Sequence, residues 1–193
     1  MPDQPIRLVV GLGNPGAEYE HTRHNAGFWL LDRLASHYFA TLSLQTKFRG
    51  WHAQAMVGSR KISLLKPSTF MNRSGESVAA CAGFYKISAE EILVVHDELD
   101  LPAGTVRLKS GGGHGGHNGL RDIVSHLGSK DFHRLRIGIG HPGNANKVLG
   151  HVLKKASKED QNAIDDALES TLSVMPDILD GKLLIAMNVL HTR

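Results

Sequence analysis

Five segments concentrate the side chains that can do chemistry. Thr22-Arg23-His24-Asn25 stands just ahead of a helical pattern, where a histidine is held at the end of a rigid element with its ring open. An imidazole there can take a proton near neutral pH, although a polar residue at that place can also do no more than cap the helix. Val94-Val95-His96-Asp97-Glu98-Leu99-Asp100 sets three carboxylates directly after an apolar strand pattern. Strand ends in open α/β sheets are where ligands bind. A carboxylate there can hold a histidine in the tautomer that base catalysis needs, bind a divalent cation, or belong to a solvated acidic loop.

Gly111-Gly112-Gly113-His114-Gly115-Gly116-His117-Asn118-Gly119 is glycine at six of nine positions. Such a run suits close backbone approach to a ligand or left-handed backbone, and its bland alternative is a mobile surface loop. It lacks the Lys-Ser/Thr ending of a P-loop. Lys66-Pro67-Ser68-Thr69-Phe70-Met71-Asn72-Arg73-Ser74-Gly75 places an apolar pair among polar groups at a strand-to-helix passage, where Asn72 or Ser74 can equally cap a helix. Gly11-Leu12-Gly13-Asn14-Pro15-Gly16 formally meets the dinucleotide fingerprint, but Pro15 removes a donor, the helix is delayed past Tyr19–Arg23, and no acidic residue ends a second strand. A tight turn explains it as well. There is no G-x-S-x-G elbow, and Cys81 lies in an Ala-rich helical stretch suited to burial, so covalent catalysis has no obvious nucleophile.

The elements that must position these groups follow from periodicity. Ile6 to Leu12 reads as a buried strand, and Asn25 to Phe39 as an amphipathic helix. Trp51–Val57 and Lys61–Lys66 flank Gly58-Ser59-Arg60 as an antiparallel hairpin. Ser74–Tyr85 reads as a helix, Glu90–His96 as a strand, Val106–Lys109 as a short strand, Leu120–Leu127 as a helix and His133–Gly140 as a strand. Beyond Asn146 the pattern is helical, with Ile164, Leu168 and Leu172 on one face and a break before Pro176. Strands alternating with helices predict a three-layer α/β sandwich with a mixed, twisted central sheet flanked by helices, in a single domain over 1–193.

Bulk properties bound the function. Hydrophobic residues at 41% and charged residues at 21% give a globular composition with a real core. The single cysteine excludes an internal disulfide and a cysteine-based zinc site. No apolar run is long enough to span a bilayer and the first residues lack a secretory pattern, so a cytoplasmic location without membrane contact is expected. A net charge of +3 permits a polyanionic partner without requiring one.

Taken together, Val10-Gly-Leu-Gly-Asn-Pro-Gly16, Thr22-Arg-His-Asn-Ala-Gly27, Lys66-Pro-Ser-Thr-Phe-Met-Asn72, His96-Asp-Glu-Leu-Asp100, Gly111–Gly119 and Arg136-Ile-Gly-Ile-Gly-His-Pro-Gly143 resemble the bacterial-type peptidyl-tRNA hydrolases. The resemblance runs in the family's order from about Arg7 to Val152; it departs at Ser68, where Gln is more usual, and at Arg73, where an apolar residue is. It implies an enzyme that releases peptide and free tRNA by ester hydrolysis, without metal or cofactor, as a monomer. His24 would be the general base on a water, with Asp97 orienting its ring. Asn14 would sense the acylated nitrogen, and Asn72 or Asn118 would steady the developing oxyanion. Tyr19, Phe70, Met71 and His117 would line the cleft around the peptide and the CCA end. Lys109 and Arg136 would meet the tRNA body, with Lys147, Lys154 and Lys155 as weaker candidates. Two rivals remain open at this stage: a zinc hydrolase using His24, His114, His117 and Asp97, and an RNA-binding module without catalysis.

Overall fold

The computed structural model describes residues 3–192. Its frame is a seven-stranded sheet of β1 (Leu8–Gly11), β2 (Ser43–Gln45), β3 (Gly50–Val57), β4 (Arg60–Pro67), β5 (Ile92–Glu98), β6 (Val106–Ser110) and β7 (His133–Gly138), in the order β2-β3-β4-β1-β5-β7-β6. The four central strands run parallel, and β2, β3 and β6 pair antiparallel at the edges. The sheet is therefore mixed, as expected.

Side-chain alternation along the central strands builds two cores. Val9, Leu93 and Val95 pack with α1 (Ala26–His37), α5 (Lys158–Leu172), α6 (Met175–Leu179) and α7 (Leu183–Leu190). Leu8, Val10, Ile92 and Val94 pack with α2 (Ser74–Tyr85) and α3 (Asn118–Leu127). A short helix, α4 (Val148–Val152), completes the set. Strands apolar on both faces are what two helical layers require, each buried Leu, Ile or Val contributing about 1.5–3 kcal/mol. No helix among the described residues is long and apolar enough to cross a membrane.

Because β4, β1, β5 and β7 are parallel, their carboxyl ends share one edge. The segments after β1 and β4, the end of β5 and the turn before α3 all come to that edge. The strand order reverses at β1, the kind of place where a crevice opens. Close approach of α1 depends on Gly27. A Cβ there would lie 2.3 Å from the Val95 carbonyl oxygen and 2.5 Å from the Leu12 nitrogen. Gly11 meets the same constraint from the strand side, with its would-be Cβ 2.5 Å from the Gly27 carbonyl oxygen. This glycine pair lets the start of α1 press onto β1 and β5, which carries the turn before it to the end of β5.

Candidate active site

His24 lies in a 3-10 turn, Arg23–Asn25, that leads into α1. Its Nδ1 is 2.8 Å from Asp97 Oδ2 although 73 residues separate them in sequence. Asp97 belongs to the strand itself. The expected Glu90–His96 strand is displaced: a 3-10 turn over Ala89–Glu91, closed by a Ser88/Glu91 capping box, uses the first residues, and pairing with β7 carries the strand through Asp97 and Glu98. The carboxylates at 97 and 98 are thus on a strand, not in a loop after it, and Asp97 is only 3% exposed.

The other carboxylate oxygen, Oδ1, is 2.8 Å from His117 Nε2. His117 also caps α3, its Nδ1 accepting from the backbone N–H of Gly119 (3.1 Å) and Leu120 (3.3 Å). Those amides are donors, so Nδ1 carries the lone pair and Nε2–H donates to Asp97. Burial alone would raise the Asp97 pKa. The facing His24 and His117 imidazoles and their hydrogen bonds outweigh burial and hold the carboxyl far below the usual carboxylate range. Burial pushes His24 down, but the attraction and hydrogen bond of Asp97 prevail and leave the imidazole above its ordinary value. An ionised Asp97 accepts only, so His24 Nδ1–H donates to it and Nε2 keeps the free lone pair.

The third histidine, His96, is excluded from proton traffic at neutral pH. Burial, with His117 beside it, lowers its pKa to about 3, and its Nδ1–H donates to the Asp97 carbonyl at 2.8 Å. It is a second support for Asp97, from the same strand.

His24, Asp97, His117 and Asn118 line one cavity of about 300 Å³, closed on one side by Val148, Leu149 and Val152 of α4. His24, Asp97 and His117 are close enough together to hold a metal ion. The capping of α3 works against that use: ligation through His117 Nε2 would move a proton to Nδ1, against two backbone N–H donors.

Asn14 is buried and lines a second cavity of about 480 Å³, together with Pro15 and Asn25, the residue after His24. Its Oδ1 accepts from Met71 N–H at 2.7 Å, so the amide presents N–H donors. Asn25, which the sequence reading did not single out, holds it in place: Asn25 Oδ1 accepts from Asn14 N–H at 2.8 Å and Asn25 Nδ2 donates to the Asn14 carbonyl at 3.0 Å. Its position directly after His24 was the signal available. Asn118 is likewise left as a donor, its Oδ1 accepting from Arg121 at 3.0 Å. Asn72 is exposed in a 3-10 turn, Met71–Arg73.

Tyr19 and Phe70 meet edge to face with centroids 6.2 Å apart. Met71 differs from expectation. Its side chain is 4% exposed and belongs to the core against Leu12 and α3, and what it offers the site is its backbone. Lys109 is exposed on β6, whereas Arg136 is half-buried with Nε 2.8 Å from Glu98. Lys147, Lys154 and Lys155 are exposed, the last pairing by backbone with Thr22.

The glycine-rich loop is tied at its base by Arg134, a second residue the sequence reading passed over. Its buried guanidinium donates to the carbonyls of Gly113, Gly112 (2.5 Å) and Lys130 (3.1 Å) and lies over the Phe132 ring. Gly115 and Gly116, at φ of +57° and +82°, have no neighbour that would meet a Cβ, so conformation rather than space calls for glycine there. Replacing Arg134 with Leu removes these bonds and is expected to cost about 2–3 kcal/mol, read as a lower urea midpoint. An unchanged midpoint would show that the tether contributes nothing net.

The comparisons with known proteins agree with one another. The family model described as peptidyl-tRNA hydrolase matches residues 8–193. A peptidyl-tRNA hydrolase from Neisseria meningitidis serogroup A is 57% identical over 188 residues, covering 97% of this chain and 98% of the relative. One from Acinetobacter baylyi is 54% identical over 186 residues, covering 96% of each. The crystal structure of peptidyl-tRNA hydrolase from Acinetobacter baumannii superposes with a TM-score of 0.93 at 52% identity, covering 97% of this chain and 94% of that one. The motif order, the fold and near full-length identity converge, and the chain belongs to the peptidyl-tRNA hydrolase family.

Proposed function

We propose that this enzyme hydrolyses the ester linking a peptide to tRNA, with a water as nucleophile and His24 as its general base. The observation that carries the reading is the grip on Asp97: both carboxylate oxygens are held by imidazole N–H groups, which leaves His24 Nε2 as the free base in the cavity. Water gives its proton to Nε2 as it attacks the ester carbonyl, and Asp97 stabilises the imidazolium that forms. Return of that proton to the departing ribose oxygen frees the tRNA.

Negative charge gathers on the carbonyl oxygen during attack. Asn118 supports it best, because it lines the same cavity as His24 and its oxygen is already occupied by Arg121, so an N–H faces outward. Asn72 is the alternative donor. With its oxygen held by Met71, Asn14 offers donors, so it reads the carbonyl oxygen of an N-acyl group and not the acylated N–H. A free aminoacyl-tRNA presents an ammonium at that place, which has no acceptor, and donor would meet donor.

Tyr19, Phe70 and the His117 ring flank the substrate near the ester. Lys109, and Arg136 to the extent that Glu98 leaves its charge available, meet tRNA phosphates, which position a substrate without reading its sequence. On this reading the enzyme works in the cytoplasm, where tRNA is recycled, as a single copy.

The test is release of N-acetyl-amino acid from N-acetyl-aminoacyl-tRNA in the presence of EDTA, with unblocked aminoacyl-tRNA alongside. Cleavage confined to the blocked substrate and indifferent to EDTA is expected. Binding of tRNA without cleavage by folded protein would favour a non-catalytic RNA-binding role, and loss of activity on chelation would restore the metal mechanism.

A further inference from the structure

A groove of about 430 Å³, which shares no lining residue with the His24 cavity, is walled by Pro15, Leu44, Phe70 and the side chains of Arg49, Arg73 and Glu76. We propose that it is a subsite for the nascent-peptide residues upstream of the ester-linked one, and that it favours an acidic side chain there. The inference rests on the function proposed above and adds a specificity to it.

Continuity and charge identify the occupant. Pro15, which follows Asn14, and Phe70, which precedes the Met71 whose N–H Asn14 Oδ1 accepts, both wall the groove, so the groove adjoins the Asn14–Met71 pair through their chain neighbours. Sheet order gives the direction. The reacting groups stand at β1 and β5, the basic residues Lys109 and Arg136 lie toward β6 and β7, and the groove lies on the opposite side, along β2 and the exit of β4. A substrate with tRNA on one flank has its peptide on the other.

The two guanidiniums share one carboxylate. Glu76 is 2.5 Å from Arg49 and 2.9 Å from Arg73, while the arginine side chains remain 58% and 62% exposed. The trio keeps one uncompensated positive charge at the groove wall. Leu44 and Phe70, exposed at 59% and 57%, give the aliphatic part of an incoming side chain an apolar surface. A glutamate satisfies both features, with a stem against Phe70 and Leu44 and a carboxylate toward Arg73, whereas a lysine brings like charge to the same wall.

The experiment compares kcat/KM for N-acetyl-Glu-Ala-tRNA, N-acetyl-Gln-Ala-tRNA and N-acetyl-Lys-Ala-tRNA, each also as a peptide longer by one alanine on the ester side. The expected order is Glu, Gln, Lys, with about two- to fivefold between Glu and Gln, the range for an exposed ion pair. Arg73→Gln leaves Arg49 and Glu76 neutralising each other and should abolish the order; Arg73→Glu should invert it in favour of Lys. Cleavage of N-acetyl-alanyl-tRNA, whose side chain is too short to enter the groove, monitors folding of both variants. Equal rates for the three peptides in the wild type, or an order that survives both substitutions, would overturn the subsite. Failure to cleave even N-acetyl-alanyl-tRNA would instead strike the proposed function.

Discussion

His24→Ala is expected to lower kcat on N-acetyl-aminoacyl-tRNA by about 10²–10⁴, the usual worth of a positioned general base, with KM much less affected. The imidazole touches the water and not the bulk of the substrate, so its loss is felt in the transition state. Single-turnover release at saturating enzyme isolates that step from tRNA departure. A rate near wild type would remove His24 from the chemistry. The pH profile gives a second reading of the same group. Since Asp97 leaves the His24 pKa above the ordinary histidine value, kcat/KM should fall on the acid side as pH drops through that raised value, because the base is then already protonated. An acid limb below the ordinary value would contradict the ion pair.

Asp97→Asn is the second large effect, and its cause is geometric. A carboxylate offers acceptors to two N–H donors, whereas a carboxamide offers one acceptor and one donor pair. One histidine must then change tautomer. If His24 does, its proton moves to Nε2 and the base is lost; if His117 does, its Nδ1–H faces the amides of Gly119 and Leu120 and the cap of α3 is broken. A loss in kcat of about 10⁴ is known for the equivalent change in a serine-protease triad, and a fall of about 10²–10⁴ is expected here. The acid limb should also move to lower pH, because the group that raises His24 has gone. Thermal unfolding followed by circular dichroism shows whether the variant is folded; a folded variant with intact kcat would refute the orienting role.

Periodicity captured what repeats. The α2 helix matches its expected bounds at Ser74 and Tyr85, and the β3–β4 hairpin differs by one residue at three of its four ends, since regular apolar spacing and a glycine turn specify them locally. The misses are where long-range contacts decide. β2 is three residues, none of them buried, and forms only because β3 lies beside it. α3 begins two residues earlier than its apolar stripe because the His117 side chain caps it. At the site, resemblance in motif order pointed to His24, Asp97 and Asn14. Neither it nor periodicity could show that His117 spends both nitrogens on protein partners, that Asn25 clamps Asn14, or that Arg134 holds the glycine loop. Those are hydrogen bonds between segments far apart in sequence, with no spacing to betray them.

The place of β7 in the sheet bears on how the enzyme comes into being. The last strand in sequence lies inside the sheet, between β5 and β6, not at its edge. A growing chain that has emerged as far as β6 therefore has β5 with a bare edge and β6 with no neighbour to pair with. Asp97 gains its partner in the sheet, Ile137, only when the final strand inserts between the two. Native pairing that joins Leu8 to Ser63 and Ile92 requires long loops to be closed, a kind of contact that slows folding and leaves strand edges open while it is unmade. While it is being made, the chain is itself a peptide on a tRNA, and for most of that time it lacks the machinery to release such a peptide.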